Sequence, residues 1–131
     1  MALCVIVDDH DDTREGFAEY LEVNGLEVMS AASAEEFEAI LEKHDPDAIV
    51  LDLQLPRVDG WELARRVRDT PGLRDVPLVA FSACVLPAER ALADEVGFDL
   101  FLGKPCDPDI VLQQLRRLMA ERRGAADDMD A

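Results

Sequence analysis

The 131-residue sequence lacks the features that would tie it to a membrane or to nucleic acid. No apolar run approaches the roughly 18–20 residues that span a bilayer, and no basic segment precedes a hydrophobic one as in a secretory signal. Basic residues are few, with 13 Lys and Arg against 29 Asp and Glu and a net charge of −16. Because phosphate binding needs clustered Lys and Arg, we expect a cytoplasmic protein with no direct contact to nucleic acid or membrane.

Cysteine and histidine are also scarce. The three cysteines, Cys4, Cys84 and Cys106, show no C-x-x-C spacing and cannot all pair, which fits free thiols in a reducing compartment. Cys4 sits in an apolar run and is expected in the core, while a redox role for the other two is disfavoured. The two histidines, His10 and His44, are far apart and lack ligand spacing, which argues against a zinc site.

What is present suffices for one domain. Hydrophobic residues make up 49% of the chain, enough for a core at this length. The acid excess is concentrated in residues 1–60, which hold 16 acids and three bases, a net of −13. Solvated helix faces are the plain explanation for most of it. We predict a domain over residues 1–123 and a flexible acidic tail over residues 124–131.

Short apolar runs alternate with helical patterns five times along the chain. The predicted strands cover 3–7, 26–30, 48–51, 76–81 and 99–102, and the predicted helices cover 12–24, a segment opened by the capping box at Ser33, a segment capped by Asp59, about 87–95, and 108–123. Single helices between strands indicate right-handed crossovers. The predicted fold class is therefore α/β: a flavodoxin-like, doubly wound, five-stranded parallel sheet of order 2-1-3-4-5 with five helices.

Polar side chains follow four of these strands at the point where each ends: Asp8 and Asp9, Asp52, Ser82 and Lys104. Ligands of such folds bind beyond the carboxyl ends of the strands, so these residues are expected on one rim. Three neighbouring carboxylates repel one another unless a cation neutralises them, and Mg²⁺ prefers oxygen ligands. We interpret Asp9 and Asp52 as direct Mg²⁺ ligands, with Asp8 direct or through water.

Helix N-capping is the structural alternative for these acids, and it suits Asp11 and Asp12 better because they directly precede the first helix. Lys104 is one of two lysines among thirteen bases, which indicates that a compact ammonium is required there. Pro105 after it carries the hypothesis of a cis peptide bond that aims the lysine. An Asp, a divalent cation, a lysine and the Ser82 hydroxyl together indicate phosphoryl chemistry on a carboxylate nucleophile.

The ordered set Val7-Asp8-Asp9, Asp52-Leu-Gln-Leu-Pro56-Arg-Val-Asp-Gly60, Ser82-Ala83 and Lys104-Pro105 resembles the receiver domain of two-component response regulators. About 43, 30 and 22 residues separate its members, and the resemblance covers about residues 2–122. It implies that Asp52 is the phosphoacceptor, that Asp8 and Asp9 bind Mg²⁺ (with Mn²⁺ as a substitute), and that the backbone carbonyl of Gln54 is a further ligand.

The same resemblance implies that Ser82 is the switch hydroxyl, Lys104 the phosphate-pairing lysine and Phe101 the switch aromatic. Pro56, Gly60 and Pro105 match the loops around the acceptor. Gln54 and Cys84 occupy positions that influence the lifetime of the phosphoryl group in this family. Trp61 lies nine residues past Asp52 and is expected close enough to report on the site.

The resemblance further implies a function. A histidine kinase or histidine phosphotransfer protein donates a phosphoryl group from phosphohistidine to Asp52. The domain catalyses this transfer and a slow autodephosphorylation, and is not a conventional enzyme. A face near the last helices would then bind an output protein or domain, or a second copy of the chain. The first helix, with Arg14, Phe17 and Tyr20, is where a kinase would dock, although Phe17 fits a core position better.

Three alternatives compete with this interpretation. An aspartate-based phosphatase would carry Asp-x-Asp after the nucleophile, where this chain has Gln54. A flavodoxin-like electron carrier would carry a Thr, Ser and Gly-rich phosphate loop after the first strand, where this chain has a run of acids. A pseudo-receiver, a binding module that is never phosphorylated, should lack one of the five site residues, and none is missing.

Overall fold

The computed structural model describes residues 2–55, 59–83, 86–104 and 106–130, with the backbone alone for residues 123–130. Strands and helices alternate. The strands are β1 (Leu3–Val7), β2 (Glu27–Ala31), β3 (Ala48–Asp52), β4 (Leu78–Ser82) and β5 (Leu100–Gly103), and the helices are α1 (Asp11–Val23), α2 (Ala34–Lys43), α3 (Gly60–Asp69), α4 (Pro87–Val96) and α5 (Pro108–Asp130).

All strand pairs are parallel, and the sheet has the order β2-β1-β3-β4-β5. This confirms the predicted fold class. β1, β3 and β4 are mostly apolar because helices cover both faces of the sheet, and they are buried along their whole length. One core cluster is built around Phe37 and Leu63, and the other around Leu21 and Leu115.

Local sequence signals set several of the helix starts. The Ser33 side chain accepts a hydrogen bond from the backbone N–H of Glu36, and the Asp59 side chain accepts one from Trp61, so both predicted caps are confirmed. At α1 the prediction of an aspartate cap is wrong. The N-cap is His10, and Asp11 and Asp12 lie in the first helical turn, where their negative charges favour the positive end of the helix dipole.

Two boundaries differ from the sequence prediction. β4 begins at Leu78 and not at residue 76, because Val76 closes a turn by donating to the carbonyl of Leu73 and Pro77 has no N–H to offer a ladder. Helix α5 continues to Asp130, past the predicted end near Arg123. The backbone over 124–130 is therefore helical, while the division into a domain and a tail stays a prediction.

Arg68 of α3 makes hydrogen bonds at the edge of the sheet where β4 and β5 begin, opposite the polar strand ends. Its guanidinium donates to the carbonyls of Val76 and Gly97, each at 2.7 Å, and to Asp99 Oδ2 at 3.0 Å. The same Asp99 oxygen accepts the backbone N–H of Leu78 at 2.9 Å. These bonds join the end of α3 to the beginnings of β4 and β5.

Two further expectations can be compared with the structure. Cys4 is fully buried in β1, as predicted, and burial raises the pKa of its thiol to about 12. Within the part of the chain that the structure describes, every helix is too short or too polar to cross a bilayer.

Candidate functional site

The polar residues predicted at the strand ends lie together at the carboxyl edge of the sheet. The strand register explains this, because Val7 pairs with Leu51, Asp52 with Phe81, and Ser82 with Gly103. Each functional side chain therefore lies at the end of β1, β3, β4 or β5, or within two residues after it. Parallel strands in this order make one rim from four separate segments of the chain.

Lys104 connects two of the acids across the rim. Its Nζ donates to Asp8 Oδ2 at 2.9 Å and to Asp52 Oδ2 at 3.1 Å. Both carboxylates are buried, with 3% of Asp8 and 1% of Asp52 exposed. Two buried carboxylates side by side are unfavourable without a shared cation, and the lysine supplies one positive charge to the pair.

The electrostatics of the three groups follow from their burial and from this contact. Burial raises the pKa of Asp52, and the hydrogen bonds from Gln54 and Lys104 do not fully offset it, so the pKa lies above its usual value. Burial acts on Asp8 in the same direction, but hydrogen bonds from His10 and Lys104 hold its pKa below the usual value. Burial lowers the pKa of Lys104, yet its two carboxylate partners raise it overall, so the ammonium stays charged.

His10 is a member of the cluster that sequence reasoning missed. Its backbone N–H donates to Asp8 Oδ1 at 2.9 Å, and its ring Nδ1 lies 3.1 Å from the same oxygen and 3.2 Å from Asp9 Oδ1. Asp9 Oδ1 is closed to solvent and accepts no hydrogen bond from any described residue. The sequence signal that could have identified His10 is its position directly after Asp8 and Asp9. Its distance from His44 argued only against a zinc site formed by the two histidines.

The backbone around Asp52 is tightly packed. Asp52 Oδ1 accepts the N–H of Gln54 at 2.9 Å, which brings the Gln54 peptide beside the acids. Gly60 begins α3 against the same segment, and a Cβ atom there would lie 2.6 Å from Leu53 Cα and 2.8 Å from the Asp52 carbonyl oxygen. Only glycine allows the start of α3 to approach Asp52 so closely.

Ser82 and Phe101 lie on neighbouring strands beside the acids. Ser82 is 1% exposed, and its carbonyl accepts the backbone N–H of Lys104 at 2.8 Å, which ties the end of β4 to the residue after β5. The Phe101 ring is 8% exposed and packs into the core. The guanidinium of Arg90 on α4 covers it at 5.4 Å from the ring centroid, so α4 and the aromatic are in contact.

Several residues singled out from the sequence either lie outside the described residues or pack elsewhere. Pro56, Pro105 and Cys84 lie outside the described residues, and so does the peptide bond for which a cis form was predicted. Trp61 packs edge-on against Phe98 at 5.9 Å, within the core. Phe17 is half-buried and its ring lies 5.3 Å from that of Phe81, in agreement with the core position preferred for it.

The donor set fits a divalent cation. Asp8, Asp9, His10 and Asp52 each offer one ligand atom, and these atoms all lie within 4.8 Å of one another. The buried Asp9 oxygen without a hydrogen bond is the kind of acceptor that a cation satisfies. Lys104 provides one charge for three carboxylates, so the cluster retains an excess of negative charge.

Comparison with known proteins identifies the family to which the chain belongs. The family model for the response regulator receiver domain matches residues 4–116. Response regulator Rre1 of Synechocystis is 32% identical over 124 residues, which cover 94% of this chain and 54% of that protein. Response regulator MprA of Mycolicibacterium vanbaalenii is 34% identical over 124 residues, covering 95% of this chain and 52% of MprA.

A similar fold has been solved for a protein of close to the same size. The chemotaxis response regulator CheY4 of Vibrio cholerae superposes with a TM-score of 0.84 at 29% identity, covering 90% of this chain and 98% of CheY4. The chain thus spans about half the length of Rre1 and MprA and nearly the full length of CheY4. The matched family model, the shared fold and the strand-end acids together show that the chain belongs to the response regulator receiver domain family.

Proposed function

We propose that this receiver domain accepts a phosphoryl group on Asp52 and uses the resulting charge to switch a binding surface. The observation that carries the proposal is the bridge from Lys104 Nζ to both Asp8 and Asp52, at 2.9 and 3.1 Å. Asp52 is buried, and this bridge places an ammonium beside it and beside a second acid that could help to hold a cation. Membership of the receiver family, in which a histidine kinase is the expected partner, supports the same conclusion.

Asp8, Asp9, Asp52 and the backbone carbonyl of Gln54 would hold Mg²⁺. When bound, the ion offsets the charge on the phosphoryl oxygens during transfer. An Asp52 carboxylate oxygen attacks phosphorus, the P–N bond of the donor phosphohistidine breaks, and its electron pair stays on the departing imidazole. Lys104 pairs with a phosphoryl oxygen, and the Ser82 hydroxyl donates a hydrogen bond to another.

A cleft beside the acids supports an approach route for the donor histidine. It has a volume of about 460 Å³ and is lined by Gly16 and Phe17 of α1, by Phe81 and by Lys104 and Cys106. Its lining is partly apolar, with the Phe17 and Phe81 rings 5.3 Å apart. A kinase or phosphotransfer protein that docks on α1 would place its imidazole at this opening.

The switch would pass from Ser82 to α4 and β5. A hydrogen bond from Ser82 to the phosphoryl group alters the end of β4, which the Lys104 N–H couples to the end of β5. Phe101 of β5 contacts Arg90 of α4, so a shift of the strand end reaches the helix surface. The surface formed by α4, β5 and α5 would then bind an output domain or a second copy of the chain.

Small phosphoryl donors test the proposal without a cognate kinase. The protein is incubated with Mg²⁺ and either acetyl phosphate or phosphoramidate, whose P–N bond resembles that of phosphohistidine, and intact mass is recorded. We expect one phosphoryl group on the wild type, none on Asp52→Asn, and none in EDTA. Equal mass gain in wild type and Asp52→Asn, or no gain with either donor, would contradict the proposal.

A further inference from the structure

The side chain of His10 is turned away from the helix that it begins and towards the acids. At an N-cap, a side chain usually accepts a hydrogen bond from the first turn of the helix, and the structure shows no such bond from His10 to the described part of α1. Its ring Nδ1 lies instead 3.1 Å from Asp8 Oδ1 and 3.2 Å from Asp9 Oδ1. The side chain is 65% exposed, so burial does not force this orientation.

The distances from this nitrogen to the carboxylate oxygens fall in the range expected for ligand atoms around one cation. With metal–ligand bonds of about 2.1 Å, neighbouring ligand atoms are separated by about 3.0 Å and opposite ones by about 4.2 Å. His10 Nδ1 lies 3.1 and 3.2 Å from the Asp8 and Asp9 oxygens and 4.0 Å from Asp52 Oδ2. The nitrogen is therefore close enough to the Asp8, Asp9 and Asp52 oxygens for all four atoms to face one cation.

An imidazole nitrogen changes which cation such a site prefers. Mg²⁺ favours oxygen ligands and keeps several waters, whereas imidazole suits the later first-row divalent ions such as Co²⁺, Ni²⁺ and Zn²⁺. We infer that His10 Nδ1 is an additional ligand of the acidic site and gives it a preference for a late first-row divalent cation over Mg²⁺. The inference rests on the proposed function, since it concerns the same cation site.

The competing explanation is that the His10 ring only makes a hydrogen bond to Asp8, at 3.1 Å, and is not a metal ligand. In that case any divalent cation would displace the ring, and the nature of the cation would not matter. The two explanations differ in what the ring does once a metal is present. A test must therefore observe the imidazole bonded to the metal, and not only the phosphorylation of Asp52.

Co²⁺ is a suitable probe because it is paramagnetic and accepts imidazole. Dissociation constants for Co²⁺ and Mg²⁺ are measured by titration calorimetry on wild type, His10→Gln and His44→Gln. The control His44 is exposed at the end of α2 and is not part of the cluster of Asp8, Asp9 and Asp52. Loss of even an outer-sphere partner weakens metal sites about 10- to 100-fold, so we expect His10→Gln to weaken Co²⁺ binding at least about tenfold. The Mg²⁺ constant should change by a smaller factor, and His44→Gln should leave both unchanged.

Proton NMR of the Co²⁺ complex provides the direct signature. A ligated imidazole gives a strongly shifted ring N–H resonance that disappears in D₂O, and we expect it in wild type and His44→Gln but not in His10→Gln. Absence of this resonance from wild type, or equal Co²⁺-to-Mg²⁺ selectivity in wild type and His10→Gln, would overturn the inference. The proposed function is judged separately, by Mg²⁺-dependent phosphorylation of the wild type at Asp52.

Discussion

Lys104 Nζ lies 2.9 Å from Asp8 Oδ2, although the two residues are 96 positions apart. The contact joins the residue after β5 to the residue after β1, and it leaves one ammonium to serve two buried carboxylates, those of Asp8 and Asp52. Much of the behaviour of the site without a metal should depend on this single cation.

Replacing the lysine exposes that dependence. In Lys104→Met the buried carboxylates of Asp8 and Asp52 lose their shared cation, and breaking a buried pair in this way costs about 3–5 kcal/mol. Because the lysine side chain is 18% exposed and partly solvated, we expect the lower end of this range in EDTA. Mg²⁺ should restore part of the loss. Urea unfolding checks this, with the exposed Lys43→Met as the matched control; identical midpoints for the two variants would count against it.

Asp9 should limit the stability of the metal-free protein. Its Oδ1 atom is closed to solvent, has no hydrogen bond among the described residues and carries charge beside other acids. We expect Asp9→Asn to raise the free energy of unfolding by about 1 kcal/mol in EDTA, in line with the cost of an unsatisfied buried group.

Mg²⁺ should reverse that order, because the wild type gains binding free energy that Asp9→Asn largely loses. The control is Asp12→Asn, which removes an exposed acid from the first turn of α1 and should cost about 0.3–1 kcal/mol with or without Mg²⁺. An Asp9→Asn variant less stable than wild type in EDTA contradicts this picture.

Two glycines should respond oppositely to alanine. At Gly60 the new Cβ would meet Leu53 Cα at 2.6 Å, so α3 must shift, and we expect a loss of about 1–3 kcal/mol and slower phosphorylation of Asp52. At Gly16 in α1, a new Cβ would meet no atom of another part of the structure within 4 Å. There alanine should add about 0.5–1 kcal/mol, through its better helix propensity. Thermal unfolding of both variants decides the point, and a stable Gly60→Ala would show that α3 is not tightly seated.

Arg68 should matter far more than its neighbour Arg66. Arg68→Met removes donors from the carbonyls of Gly97 and Val76 and a partner from Asp99, and hydrogen bonds to a charged group contribute about 1.5–3 kcal/mol. Arg66 makes a surface ion pair with Glu38 at 2.8 Å, which is worth about 0–1 kcal/mol. Comparable losses from Arg68→Met and Arg66→Met in urea unfolding would refute the role assigned to Arg68.

The Cys4 thiol should couple stability to alkaline pH. Its pKa is about 12 in the folded protein and 9.0 in its reference state, so the folded form holds the proton more tightly. The stabilisation is complete below pH 9.0 and is lost as pH rises towards 12, at up to about 1.4 kcal/mol per pH unit. Cys4→Ala should unfold with a shallower slope across this range, and an unchanged slope would exclude the coupling. Native thiol labelling should modify Cys106 before Cys4.

The fold could be predicted because β1, β3 and β4 are short apolar runs that each stop at a polar residue. Hydrophobicity marks burial and not hydrogen bonding, which is why β4 was predicted to start at residue 76. Val76 is as buried as Leu78 and Val79, yet it belongs to a turn. The helix starts at Ser33 and Asp59 followed from local side-chain chemistry, which the sequence displays directly.

The acids and the lysine at the strand ends were predicted to meet, and the structure brings them together. His10 was not predicted, because its contribution depends on the N-cap backbone conformation that turns its ring towards Asp8. The contacts of Arg68 were also out of reach. They connect Arg68 to the backbone carbonyl of Gly97 and the carboxylate of Asp99, which are 29 and 31 positions away. Because every residue has a backbone carbonyl, no sequence pattern marks the one that accepts.

β5 is the last strand of the sheet, lies at its edge, and leads directly into Lys104. During synthesis, Asp8 and Asp52 therefore emerge well before their ammonium partner. A chain that stops short of β5 carries Asp52 without the ammonium that pairs with it, so the proposed phosphoacceptor site would be incomplete. Under the proposed function, we therefore expect a response to a phosphoryl donor only once the last strand has joined the sheet, so that incomplete chains do not compete with finished ones for phosphoryl groups.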